Sequence, residues 1–299
     1  MKSNWLGAAV VGLIGPITIA TAFAADLPPA PAYKASAYVA PPSWTGFYIG
    51  ANGGYGWNGV SASEAPADPA TLSPQGGGHV GVDPSAASFN KSGWLAGIQA
   101  GYNWQFNPSW LVGVEADFDG AGIRGSGSSP VDIANSSPTI AALNASQQVN
   151  WFGTVRARLG YLPTSNLLLY ATGGLAYGGV RESANVGFTA TNVGSGVGVG
   201  GFSFACSSPG LTGPGGWPGP TCFAGSQSRT SVGWAAGGGA EYQFSSNATL
   251  KLEYLYVNLG SNSFNLTAQG TLGGTPSFLK ASFGDAAFNL VRLGVNYRF

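Results

Sequence analysis

The chain has 299 residues, only 8% of them charged and 44% hydrophobic, with 49 glycines, nine Trp, twelve Tyr and sixteen Phe. An ordinary soluble domain carries roughly a quarter charged residues, so this chain has little with which to cover a water-facing surface, and its aromatic content argues against intrinsic disorder. Twelve Lys and Arg balance twelve Asp and Glu, which leaves no basic field for nucleic acid, and one His with two Cys falls short of a zinc site.

Residues 1–24 read MKSNWLGAAVVGLIGPITIATAFA. Lys2 supplies a positive start, Trp5 to Ile19 is mostly apolar, and Ala22-Phe23-Ala24 has the small-x-small form of a cleavage site. The reading is a cleaved signal peptide, because Pro16 interrupts the run and no basic stop-transfer cluster follows. Residues 25–43 are rich in Pro and Ala and lack periodicity, as expected of a periplasmic N-terminal tether. Residues 44–299 form the remaining domain. They contain no run of about 20 apolar residues that could span a bilayer as a helix.

From there a period of two recurs, which places alternate side chains on opposite faces of a strand. Phe47–Trp57 and Trp94–Phe106 come first; like Leu167–Val180, Val232–Phe244 and Thr249–Leu259 they fit less strictly, with Phe47, Ile49, Ala51, Tyr55 and Trp57 opposite Tyr48, Gly50, Asn52, Gly54 and Gly56 in the first. Trp110–Asp119 sets Trp110, Val112, Val114, Ala116 and Phe118 against Leu111, Gly113, Glu115, Asp117 and Asp119. Val149–Tyr161 sets Val149, Trp151, Val155, Ala157, Leu159 and Tyr161 against Asn150, Phe152, Thr154, Arg156, Arg158 and Gly160. Leu167–Val180, Val232–Phe244 and Thr249–Leu259 follow; near Leu255–Val257 the alternation blurs, which predicts either a bulge or a partly apolar interior. Val291–Phe299 is the clearest, with Val291, Leu293, Val295, Tyr297 and Phe299 opposite Arg292, Gly294, Asn296 and Arg298.

The eight strands are joined alternately by tight turns and long connections. The turns lie at Phe106–Ser109, Leu162–Asn166 and Ser245–Ala248; the long connections begin at Asn58, Gly120, Arg181 and Gly260. This layout predicts an all-β fold: an eight-stranded antiparallel transmembrane β-barrel with four long extracellular loops and short periplasmic turns. In hydrocarbon every backbone polar group needs a partner, so such a sheet must close. The apolar face then meets outer-membrane lipid, with aromatics such as Trp57, Trp94, Trp104, Trp110, Trp151, Tyr161 and Trp234 in the interfacial girdles. A secreted soluble barrel would instead turn that face inward.

Charges on the other face fall inside a barrel just wide enough for side chains to fill. They are Glu115, Asp117, Asp119, Glu241 and Glu253 with Arg156, Arg158, Lys251, Arg292 and Arg298, five acids and five bases. Glu115 and Asp117 precede by one strand Arg156 and Arg158, so neighbouring strands can pair them. Paired buried ions are the economical arrangement, and the expectation is a structural plug in the lumen, not a catalytic centre.

Several of these segments together are similar to a known family. WTGFYIGANGGYGW (44–57), GTVRARLGY (153–161), LLYATGGLAYG (168–178), KLEYLYVNLG (251–260) and VRLGVNYRF (291–299) resemble the outer-membrane immunogenic proteins of alphaproteobacteria, a porin-annotated family of small OmpA/OmpX-type barrels; the ADLP start at residue 25 is also similar. The resemblance spans essentially all the strands. It implies an outer-membrane barrel with exposed, antigenic loops and roles in envelope integrity, host contact and, for some members, haem binding. It brings no catalytic residues and no cofactor. Under it, Phe299 resembles the terminal signal read by the barrel-assembly machinery. The long insert at 181–228 departs from the pattern.

The loop motifs mostly have bland readings. Cys206 and Cys222 on an exported chain are expected to form a disulfide, worth about 3 kcal/mol in the chain-entropy model, with two free thiols as the alternative. Gly196–Gly201 matches G-x-G-x-x-G without the strand-to-helix context of a dinucleotide site. Glu115-x-Asp117-x-Asp119 could hold Ca²⁺ through oxygens, but the neighbouring arginines favour ion pairs. His79 is a lone loop histidine, read as solvated, and no catalytic or metal site is expected. Two functions remain: a structural and surface-interaction barrel whose loops meet an extracellular ligand or host surface, or a narrow porin-like channel. The channel reading rests on small interior residues, Gly50, Gly54, Gly97, Gly101, Gly237 and Gly239.

Overall fold

Twelve strands follow one another in the computed structural model, which describes residues 43–67, 85–132, 140–188, 204–205, 221–268, 270–271 and 278–299. The chain divides into Met1–Ala40 and Pro41–Phe299, and all described residues belong to the second unit. The expected signal peptide, and the tether up to residue 42, therefore lie outside the described residues. The strands are β1 (Gly46–Pro66), β2 (Ser85–Asn107), β3 (Trp110–Asp132), β4 (Ile140–Thr164), β5 (Leu167–Phe188), β6 (Phe204–Ala205), β7 (Thr221–Gln243), β8 (Ala248–Asn258), β9 (Asn262–Ala268), β10 (Gly270–Thr271), β11 (Phe278–Phe283) and β12 (Ala287–Arg298). Among the described residues β6 and β10 pair with each other, and the other ten make one antiparallel sheet.

That sheet closes as a ring of eight staves. β1, β2, β3, β4, β5 and β7 pair in succession. β8 and β9 lie end to end as the seventh stave, both paired with β7. β12 and β11 form the eighth, and both pair with β1. The seventh stave breaks at Gly260, whose φ of 76° needs a residue without Cβ. Asn258 Oδ1 accepts from the Gly260 amide at 2.7 Å there. Following one row of partners around the ring, from Phe47 through Tyr102, Val114, Ala157, Gly173, Ala236, Tyr256 and Asn289, returns to β1 at Trp57, ten residues on. For eight staves that stagger corresponds to a strand tilt of about 40°.

Apolar side chains point out, as the alternation predicts. Ile98, Val232 and Trp94 are 68%, 72% and 76% exposed, whereas Glu115 and Arg156 are buried. Aromatic pairs mark two belts. Phe47–Tyr102, Trp110–Tyr161 and Tyr297–Phe299 lie at the end with the tight turns. Tyr55–Trp94, Phe118–Trp151 and Trp234–Tyr256 lie at the other.

The strands are longer than the sequence pattern indicates. A membrane strand needs about 9–11 residues, yet β1, β2, β3, β4, β5 and β7 have 21 to 25. Much of what reads as long loop is therefore strand rising beyond the outer belt. Its facing is reversed: Val60, Ala62, Ala87, Phe89, Leu143 and Ala145 point inward, while Gly59, Ser61, Ser63, Ser88 and Asn90 point outward. Outside this part of the barrel lies water instead of lipid, so the polar face moves outward. Small Ser, Gly and Ala residues carry it, which leaves only a weak alternation in the sequence.

Two local expectations resolve here. Val149 is inside, not on the lipid face, because an irregularity at Asn150 shifts the register against both neighbouring strands and inverts the parity of β4 above it. Around Leu255–Val257 pairing to both neighbours runs on without a shift, and both side chains point into an apolar interior.

Candidate functional site

The interior is stacked in layers along the staves. At the tight-turn end Trp44, Leu111, Leu162, Leu168 and Tyr170 form an apolar floor. Trp44 enters from the residues before β1; its indole donates to the Ser165 carbonyl at 3.0 Å and its amide to Gln105. Above lies a charged layer, then an apolar layer that includes Leu95, Ile123, Phe152, Val180, Leu255 and Phe288. A polar layer of Lys91, Gln147, Glu182 and Asn262 follows, and a second apolar cluster caps it.

Alternation alone delivers the charges: every second residue of β3, β4, β7, β8 and β12 points inward. Glu115 lies directly opposite Arg156, and Glu253 opposite Arg292. Arg156 contacts Glu115 at 2.6 Å, Asp117 at 2.8 Å and Glu253, across the interior, at 3.1 Å. Arg292 contacts Asp117 and Glu253, each at 2.6 Å, and Asp119 at 3.0 Å. Arg158 holds Glu241 at 2.9 Å and Glu115 at 3.4 Å. Lys251 faces Glu241 along the register, yet its ammonium reaches Glu115 at 2.7 Å, while Glu241 accepts from Thr249 and Asn296.

Nine of the ten residues expected in this network thus share one buried layer. The tenth, Arg298, does not join it. It lies at the floor, donates to the carbonyls of Ser43 and Ser246, and stacks over the Trp44 ring at 4.8 Å. Its place near the end of the last strand puts it a full layer below the carboxylates.

Neutral residues that the charge pattern does not single out complete the layer. The Tyr48 hydroxyl donates to Glu115 at 2.7 Å and accepts from Arg158 at 2.6 Å. The Tyr170 hydroxyl donates to Glu253, and its ring lies 4.0 Å beneath the Arg158 guanidinium. Thr154 donates to Asp117, and Gln99 to Asn296. Tyr48 was visible as the polar-face neighbour of Phe47 and Ile49. Tyr170 and Trp44 gave no such signal.

In chemical terms every carboxylate of the layer is engaged by a cation. Glu115, Asp117 and Asp119 are each committed to at least one cation, so the Glu-x-Asp-x-Asp spacing faces guanidinium and ammonium groups. No group of His, Cys, Asp and Glu among the described residues is arranged to hold a metal ion. The interior glycines leave no open space either. A Cβ at Gly50 would collide with Asn296, at Gly54 with Arg292, at Gly97 with Asp119, at Gly101 with Tyr48, at Gly237 with Leu255 and at Gly239 with Tyr170. The room they vacate is taken by these neighbours.

The polar layer beyond the outer belt lies in segments that read as loops. Gln147 accepts from Lys91 and donates to Glu182 at 2.9 Å; Asn262 donates to Glu182 at 2.6 Å. Burial pushes the Lys91 ammonium down to about 8, with Glu182 pulling the other way. Phe299 ends the chain exposed at the turn end, its amide bonded to the Phe47 carbonyl. His79, Gly196–Gly201 and Cys206 lie outside the described residues, as does the side chain of Cys222, so the expected disulfide has no structural counterpart to report.

Residues 27–299 match the family model described as outer membrane protein beta-barrel domain. The chain is 35% identical over 257 residues to a 31 kDa outer-membrane immunogenic protein of Brucella melitensis, covering 86% of this chain and 84% of that protein. It is 27% identical over 285 residues to a 25 kDa outer-membrane immunogenic protein of Brucella abortus, covering 94% and 92%. Among solved structures it is similar to the outer membrane protein OprG of Pseudomonas aeruginosa, at 12% identity and a TM-score of 0.36 over 85% of this chain and 97% of that one.

Proposed function

Because the chain belongs to the outer membrane β-barrel family, and within it to the outer-membrane immunogenic proteins, we propose that it is a closed structural barrel that presents its extracellular parts for surface contact. On this reading the lumen is plugged and conducts nothing. One observation carries it: the four charged side chains Arg156, Arg158, Lys251 and Arg292 are locked to five carboxylates between an apolar floor and an apolar layer above. A solute would have to break buried ion pairs and also cross two dry layers, each step uphill by several kcal/mol.

The tall extension supports the same role. Its inward apolar faces give it a core of its own outside the bilayer, so the outer strand ends stand well clear of the membrane. The barrel has no enzymatic role, and its partners are outer-membrane lipid, the assembly machinery through Phe299, and an extracellular ligand or host surface. The alternative, a narrow channel for small solutes, loses its main support because the glycine-lined space is occupied. Planar-bilayer recording of purified protein tests the reading. Silence across a range of voltages is expected; steady single-channel steps in most insertions would overturn it in favour of the channel.

A further inference from the structure

Just beyond the outer aromatic belt, one row of partners crosses five staves. Ser92 on β2 faces Arg124 on β3, Arg124 faces Gln148 on β4, Gln148 faces Arg181 on β5, and Arg181 faces Ser228 on β7. Arg124 and Arg181 are exposed, as are Ser92 and Ser228, and Gln148 is half-buried between them. The inversion of parity at Asn150 is what brings Gln148 to the outside. Two strand spacings separate the arginine Cα atoms, about 10 Å, so two long side chains can converge on one anion.

Neither arginine has a hydrogen-bond or ion-pair partner among the described residues. This is unusual for the chain. Arg156, Arg158, Lys251 and Arg292 are all paired inside. The carboxylates whose side chains are described are buried, except Asp285, which is held by Asn258 at the start of the far stave β12. Among the described side chains, the outer wall over β3 to β5 therefore carries two arginines and no carboxylate. Their height is set by the belt: Trp94, Phe118 and Trp151 lie immediately on the membrane side. Directly beneath Arg124, Gly120 and Gly122 are exposed, and a Cβ at either would meet only a backbone carbonyl, of Ala96 or Trp94, at 3.8 Å. The missing side chains leave a shallow recess in the outer wall next to Trp151, the cross-strand partner of Gly120.

We infer that this row is a binding site for the phosphorylated headgroup of an outer-leaflet glycolipid. Arg124 and Arg181 clasp the phosphate, and Gln148, Ser92 and Ser228 add donors. Guanidinium groups suit phosphate because their planar fork makes two parallel charge-assisted bonds. The sugar rests in the recess at Gly120–Gly122 against Trp151, and the acyl chains run down the lipid face below the belt. The charge complementarity and the level of the row select a lipid over a soluble anion: a free phosphate would have no use for the recess or the apolar wall.

The test uses the full mature barrel folded in detergent, with native mass spectrometry and thermal-shift titration. The probes are bisphosphorylated lipid A, the same lipid stripped of phosphate, and inorganic phosphate alone. The phosphorylated lipid should bind at least about tenfold more tightly than the stripped one, and Arg124→Gln/Arg181→Gln should weaken it by about ten- to a hundredfold. Lys280→Gln, an exposed charge on another stave, should leave binding unchanged. Arg124→Lys/Arg181→Lys keeps the charge but not the fork and should fall between. Equal binding of the stripped lipid, or an unaffected double glutamine variant, overturns the site; so does binding of inorganic phosphate without the lipid. Should the glutamine variant fail to fold, the lysine variant and the stripped lipid on the wild type decide the matter.

Discussion

Arg292→Met probes the charged layer most directly. Its guanidinium serves three carboxylates, Asp117, Glu253 and Asp119. Without it Asp117 keeps Arg156 and Thr154, and Glu253 keeps Arg156 and Tyr170. Asp119 keeps no cation among the described residues, and its second oxygen already has no partner. An unpaired buried carboxylate puts the cost at about 3–5 kcal/mol. Asp119→Asn alone removes one charge-assisted bond and leaves Arg292 two partners, so it should cost about 1.5–3 kcal/mol. In the double variant the orphaned charge is gone, and the total should fall short of the sum of the singles by at least about 1 kcal/mol. Urea unfolding from lipid vesicles, followed by tryptophan fluorescence and the gel shift on heating, reads all three. If the single changes add to within about 0.5 kcal/mol, or if Arg292→Met costs almost nothing, then water reaches these charges and the plugged interior is wrong.

Three other outcomes follow from the same geometry. Phe152, buried edge-on against Phe288 with ring centroids 5.1 Å apart, should cost about 3–5 kcal/mol when replaced by Ala, measured by the same unfolding assay. Gly237→Ala should be destabilising by about 1–3 kcal/mol, since the new methyl meets the Tyr254 carbonyl and Leu255, whereas Gly53→Ala meets only ordinary contact and should be near neutral; equal effects would mean the interior has room to spare. Lys91 is depressed to about 8 by burial. Between that value and the ordinary lysine range the unfolded chain holds a proton that the folded one has released, so stability should rise with pH across this window. Lys91→Met should flatten that part of the profile, and a slope unchanged by the substitution would place its origin elsewhere.

Much of the charged layer was legible in the chain itself, because period two is a property of the strand backbone. Glu115, Asp117, Arg156, Arg158, Lys251, Glu253 and Arg292 had to share a face once β3, β4, β8 and β12 were strands, and lipid on the other side made that face the inside. Which acid meets which base was legible only where β3 faces β4. Lys251 faces Glu241 along the ladder yet binds Glu115, because the small bore lets side chains reach across it to whichever partner completes the network.

Sequence alone determined the number of staves, their facing within the bilayer and the mixing of acids with bases inside, since hydrocarbon imposes one strict rule on every residue that touches it. Above the outer belt that rule lapses. There the facing reverses, Ser and Gly carry the outer surface, and the same alternation no longer separates strand from loop. The height of the barrel, the buried Lys91–Gln147–Glu182 layer, the turn of Gln148 to the outside at Asn150 and the Trp44 floor were decided by tertiary closure. Each depends on which strands lie side by side and at what stagger, and a linear pattern does not hold that information.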